Sequence, residues 1–133
     1  MRKVLKNYEI EQLVKVITDP NSFFRNTAVK LPAAFRQAMR INEKTLLSRS
    51  QVYSEGQREI INRHRDEGHI ITSSNGETTY MPGYKDVVIN ELAELAVVDN
   101  ELELEMVPKE VANQVLALDL SMVEEDFIEL FIS

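Results

Sequence analysis

The 133-residue chain predicts an α+β fold, and three features carry that expectation. Apolar residues recur at helical spacing in several windows, the longest running from Pro32 to about Asp66. An Asn75-Gly76 pair sits between two β-prone runs, the strongest short-range sign of a hairpin. Residues 100–107 alternate strictly between acidic and apolar side chains, as a half-buried strand does. The expected architecture is a long helix and its N-terminal helical partner packed on a small antiparallel sheet of about three strands, with two shorter helices. Chain length and a 44% hydrophobic composition point to a single domain over 1–133 with a core of its own.

The first helix is expected from Tyr8 to Thr18. Asn7 is positioned to cap it, and Glu9 and Glu11 lie in the turn where the helix dipole favours acids. Ile10, Leu13, Val14 and Ile17 form its inward stripe. Asp19-Pro20-Asn21-Ser22 ends it, because the residue before proline is pushed out of helical geometry. Phe23 and Phe24 then plug the core from a connector.

Pro32 suits a first helical turn, and from there Phe35, Met39, Leu46, Tyr53 and Ile60 mark one face of a long helix. Asn42, Arg49 and Gly56 interrupt that face. The reading is one long or kinked helix, with a turn near Ser54–Gly56 as the alternative. Arg36, Arg40, Glu43, Lys44, Glu55, Arg58, Glu59, Arg63 and Arg65 give it a solvated surface. Asp66-Glu67-Gly68 stops the helix.

His69–Ser73 and Thr78–Met81 are the hairpin strands, joined by a turn with positive φ expected at both Asn75 and Gly76. Lys85–Val97 is an amphipathic helix facing inward through Val88, Leu92, Leu95 and Ala96. On the acidic strand, Glu101, Glu103 and Glu105 share the outer face, and Leu102, Leu104 and Met106 the inner one. Val111, Val115 and Leu118 suggest a short helix. Ser121 with Glu124 forms a capping box for a last helix that turns Phe127, Leu130 and Phe131 inward.

Charge is divided along the chain. Residues 1–67 hold 13 Lys and Arg against 8 acids, a net of +5, whereas residues 68–133 hold 2 against 14, a net of −12. Packing of the basic helix beside the acidic segment accounts for this division; an acidic face that mimics nucleic acid is the functional alternative. Direct nucleic-acid binding by the acidic half is not expected, because phosphate contacts need clustered Lys and Arg.

The chemistry that the sequence offers is sparse. There are no cysteines, which excludes disulfides, thiolate metal sites and a cysteine nucleophile. His64 and His69, five residues apart at a helix end, do not share a helical face; Asp66 and Glu67 nearby could complete a weak surface metal site, but two exposed histidines are the expectation. His64-Arg65-Asp66 spells the opening of a kinase catalytic loop without the phosphate loop that must accompany it. Glu101, Glu103 and Glu105 stand about 7 Å apart along the strand, a glycosidase-like spacing, yet on one exposed face rather than across a cleft. No catalytic residue, cofactor, metal or small-molecule substrate is therefore expected, and the protein is read as a non-enzyme.

The layout as a whole resembles a family of small proteins encoded by tailed bacteriophages and prophages. The resemblance rests on the leading Leu5-Lys6-Asn7…Glu9-Ile10, on Leu31-Pro32 before the long helix, on the Gly-centred hairpin, on Glu91-Leu92-Ala93-Glu94-Leu95, and on the acidic strand and the closing Phe/Leu helix. It implies an assembly accessory or structural component that acts by protein–protein contact, and it carries over no catalytic residue. Tyr53, Ile60, Glu101, Glu103 and Glu105 are the expected interaction residues, since so long a helix leaves apolar surface in want of a neighbour. A protein partner, a homo-oligomer among the options, is expected. With no apolar run near the roughly 18 residues of a membrane span and no leader after Met1-Arg2-Lys3, the expected location is the host cytoplasm or the virion.

Overall fold

The computed structural model describes residues 1–26 and 29–133. In chain order the elements are β1 (Arg2–Lys6), α1 (Asn7–Thr18), α2 (Ala33–Asp66), β2 (Ile70–Thr72), β3 (Thr78–Tyr80), α3 (Lys85–Ala96), β4 (Asp99–Glu103), α4 (Lys109–Leu116) and α5 (Met122–Glu129). The class is α+β, as the sequence indicates. The chain forms two compact units: residues 1–50 with 99–133, and residues 51–98.

In the first unit the sheet is a pair of strands, and one of them went unforeseen. β1 runs antiparallel to β4, with Arg2 opposite Glu103, Val4 opposite Glu101 and Lys6 opposite Asp99. Instead of one sheet of about three strands there are two separate pairs, β1–β4 and β2–β3. The reason is charge and burial together. β1 puts Arg2 and Lys6 against the acids of β4, and Leu5 and Leu102 join the core. Cross-strand pairs of opposite charge each contribute roughly 0.2–1 kcal/mol, enough to favour this register over one shifted by a residue.

β1 leads straight into α1, which moves the expected cap by one position. Lys6 is the N-cap, and its backbone N–H donates to Glu9 Oε1 at 3.0 Å. Asn7 already lies inside the helix and is buried; its Oδ1 accepts from Asn100 Nδ2 at 2.9 Å, tying the helix start to β4. Ile10, Leu13 and Ile17 face the core as expected, in one cluster with Phe35, Met39 and Leu46 of α2, Ala112 and Val115 of α4, and Phe127 and Ile128 of α5. Each of these side chains except that of Ala112 contributes roughly 1.5–3 kcal/mol on burial. Phe23 is buried and Phe24 packs against the same cluster. A parallel bridge from Val107 to Ile132 brings the C-terminal end of the chain onto it.

In the second unit the closing half of α2 is continuous, with no turn at Ser54–Gly56. Gly56 permits close packing there: a Cβ on it would lie 3.0 Å from Leu95 Cδ2 of α3. The hairpin forms where expected, but its turn differs. Within the turn only Gly76 has positive φ, at +86°, and no non-glycine residue among those described does. Ser73 C=O accepts from Gly76 N–H at 3.0 Å and Ser73 N–H donates to Glu77 C=O at 2.8 Å. This is a three-residue loop with a glycine bulge, in which Asn75 keeps ordinary φ and Gly76 alone takes the left-handed position.

Candidate functional site

The five residues expected at an interaction surface fall into different surroundings. Tyr53 is buried within its own chain, 6% exposed, and Ile60 is half-buried. The apolar surface expected at Tyr53 is thus already covered. Glu101, Glu103 and Glu105 are all exposed, but they do not form one strand face. β4 ends at Glu103; Leu104 still bonds Met1, and Asn42 of α2 is the partner of the residue after it: its Nδ2 donates to Glu105 C=O at 2.9 Å, and its Oδ1 accepts from Glu105 N–H at 2.8 Å.

The acids of β4 meet bases. Arg2 lies 3.8 Å from Glu101 and 3.4 Å from Glu103, and Lys6 Nζ lies 3.1 Å from Asp99 Oδ1. Arg49 of α2 lines a hollow with Arg2, Asp99, Glu101 and Glu103. Exposed pairs of this sort contribute at most about 1 kcal/mol each, so they set the local potential more than the stability.

The opening half of α2 carries a hollow of about 840 Å³, lined by Phe24, Ile41 and Leu47 together with Arg25, Arg36, Arg40, Glu43 and Lys44. Ile41 and Leu47 are each 41% exposed. Arg25 is held there by Glu43 and stacks over the Phe24 ring. The start of α5 is the reverse in charge: Met122 and Val123 are strongly exposed and are followed by Glu124, Glu125 and Asp126.

The second unit holds a cluster that the spacing of the histidines concealed. His64 is 2% exposed, not a surface residue, and its Nδ1 lies 2.8 Å from Nδ1 of His69. The helix end explains the meeting. Gly68, at φ +82°, reverses the chain; its N–H donates to Arg65 C=O at 3.1 Å and the His69 N–H to His64 C=O at 2.8 Å. This pair of bonds is the Schellman arrangement, which folds the second residue past the helix back over the last inner turn. Side chains that share no helical face are thereby placed in contact. A glycine directly after a helix, with histidines four before and one after it, is the signal that marks such a pair in sequence.

Further side chains fix the cluster. Glu91 of α3 accepts from His64 Nε2–H at 2.9 Å, and Arg63 holds its other oxygen. The Arg63 hydrogen bond, and after it the His64 one, outweigh desolvation and keep the Glu91 carboxyl below its ordinary range. The Glu67 carboxylate stands 3.5 Å from His69 Nδ1, and the Tyr84 ring stacks on His69 at 3.8 Å and 9°. In a neutral His64 whose Nε2 donates to Glu91, Nδ1 presents a lone pair, and the proton between the rings is then carried by His69.

No family model, curated protein or solved structure matches this chain. No helix among the described residues is long and apolar enough to cross a membrane.

Proposed function

We propose that this chain is a non-enzymatic interaction protein of a tailed bacteriophage or prophage, an assembly accessory or structural component that works in the host cytoplasm or the virion. The observation that carries the reading is the hollow on the opening half of α2, which exposed Ile41 and Leu47 line together with Arg40 and Lys44. Apolar and cationic side chains on one surface suit an amphipathic acidic segment. The chain itself owns one, in the exposed Met122 and Val123 beside Glu125 and Asp126. The occupant is therefore a second copy, docked head to tail, an arrangement that closes into rings or extends into open assemblies.

The alternative, a DNA-like acidic inhibitor, has weaker support. Arg2 and Lys6 already pair with Glu101, Glu103 and Asp99, which breaks the run of free acids along β4.

Sedimentation of the full chain over a range of concentrations tests the proposal. Self-association that is mildly salt-dependent and is lost in Leu47→Asp and in Val123→Asp supports it. A monomer at every concentration, or association that neither substitution weakens, overturns it.

A further inference from the structure

We propose that His64, His69 and Glu67 form a binding site for one divalent transition-metal ion of the zinc class, independent of the interaction reading above. Their ligand atoms, one imidazole nitrogen from each histidine and one carboxylate oxygen, all lie within 4.8 Å of one another. Two nitrogens and one oxygen are donors of the type that zinc takes, and with three protein ligands a fourth position stays open for water. Tetrahedral bonds of about 2.0–2.1 Å separate neighbouring ligands by roughly 3.3 Å. The 2.8 Å between the two Nδ1 atoms needs only a modest opening, and the half-exposed Glu67 closes in from the solvent side.

Three observations argue for a ligand rather than a capping contact. The contact that accompanies a Schellman turn is ordinarily apolar, whereas here two imidazole nitrogens face each other at 2.8 Å. His64 is oriented from behind: Nε2–H to Glu91, with Glu91 held by Arg63, is the carboxylate–imidazole support that metal-bound histidines use to fix ring and tautomer. Tyr84 stacked on His69 fixes the second ring. The ion takes the place of the proton shared by the rings. His69 then carries its hydrogen on Nε2 instead of Nδ1, so a neutral pair binds with no net loss of a proton.

The test is calorimetric titration of the chelator-treated full chain with Zn²⁺, repeated with Co²⁺ and read by visible absorption. One ion per chain is expected, with the intense bands of four-coordinate cobalt. Glu67→Gln and His69→Asn lie nearer the surface than His64, so they test the ligands without removing the most buried group. Each is expected to weaken Zn²⁺ binding about tenfold or more and to abolish the cobalt bands, while circular dichroism without metal stays that of the parent. Glu91→Gln, which keeps the volume and alters the support, is expected to weaken binding by about tenfold. Absence of stoichiometric binding, or binding that His69→Asn and Glu67→Gln leave unchanged, overturns the site. So does either variant failing to regain the parent's fold without metal, because the residues would then be structural.

Discussion

Asn42, fully buried in α2, grips both backbone groups of Glu105, at 2.9 Å to the carbonyl and 2.8 Å from the N–H. A primary amide presents one donor and one acceptor side by side, as a strand's edge does. Here it takes the place of a strand partner beyond Leu104, the last residue to pair with Met1. This makes the one polar residue on the apolar face of the first half of α2 a requirement of the fold. Asn42→Leu is expected to cost about 2–4 kcal/mol, since it strands two backbone groups at roughly 1–3 kcal/mol each. Denaturant unfolding measures it; a loss below about 1 kcal/mol would mean that water satisfies Glu105 equally well.

The hairpin separates the roles of two neighbours. Gly76 at φ +86° has open space around it, so the cost of Gly76→Val is backbone strain, about 1–3 kcal/mol. Asn75 works through its side chain, accepting from Glu77 N–H at 3.2 Å and from the Ser73 hydroxyl. Asn75→Asp keeps these acceptors and is expected to be tolerated, whereas Asn75→Ala costs about 1 kcal/mol. Amide exchange over residues 69–81 reads all three.

Acid stability has a named contributor in Glu124. Burial raises the pKa of its carboxyl, but the Phe23 N–H at 2.8 Å, together with the Ser121 N–H and hydroxyl, overrides burial and holds it below the ordinary glutamate value. A depressed folded pKa stabilises the protein above the unfolded value and loses that stabilisation as pH falls through the folded one. Wild-type stability is therefore expected to drop below about pH 4.5 more steeply than that of Glu124→Gln. Parallel acid titration curves for the two proteins would show that the carboxylate is not the responsible group.

Tyr53 and Leu47 should part company under substitution. Tyr53→Asp places an acid in a buried site and is expected to lower stability by several kcal/mol, on the order of 3. Leu47→Asp changes an exposed side chain, leaves thermal unfolding within about 0.5 kcal/mol, and alters association instead. Melting and sedimentation run side by side on the two variants distinguish the effects. A large loss of stability in Leu47→Asp would place that residue in the core rather than on a docking surface.

The sequence by itself determined what is local. The stripe from Phe35 through Leu46 to Tyr53, the hairpin, and the Ser121–Glu124 box of α5 all rest on residues close along the chain, whose geometry a helix turn or a tight loop fixes alone. Gly56 was legible as an interruption but not as the place where Leu95 approaches. The tertiary structure decided the rest. Arg2–Lys6 has no periodicity of its own to announce a strand; it becomes one because β4, nearly a hundred residues later, offers an edge of opposite charge. Asn42 looked like a flaw in an apolar face until Glu105 came beside it. His64 and His69 point apart on a helical wheel, and only the left-handed turn at Gly68 brings them together. Periodicity records which face of an element is buried; what that face meets depends on chain reversals and distant strands, whose partners no local spacing specifies.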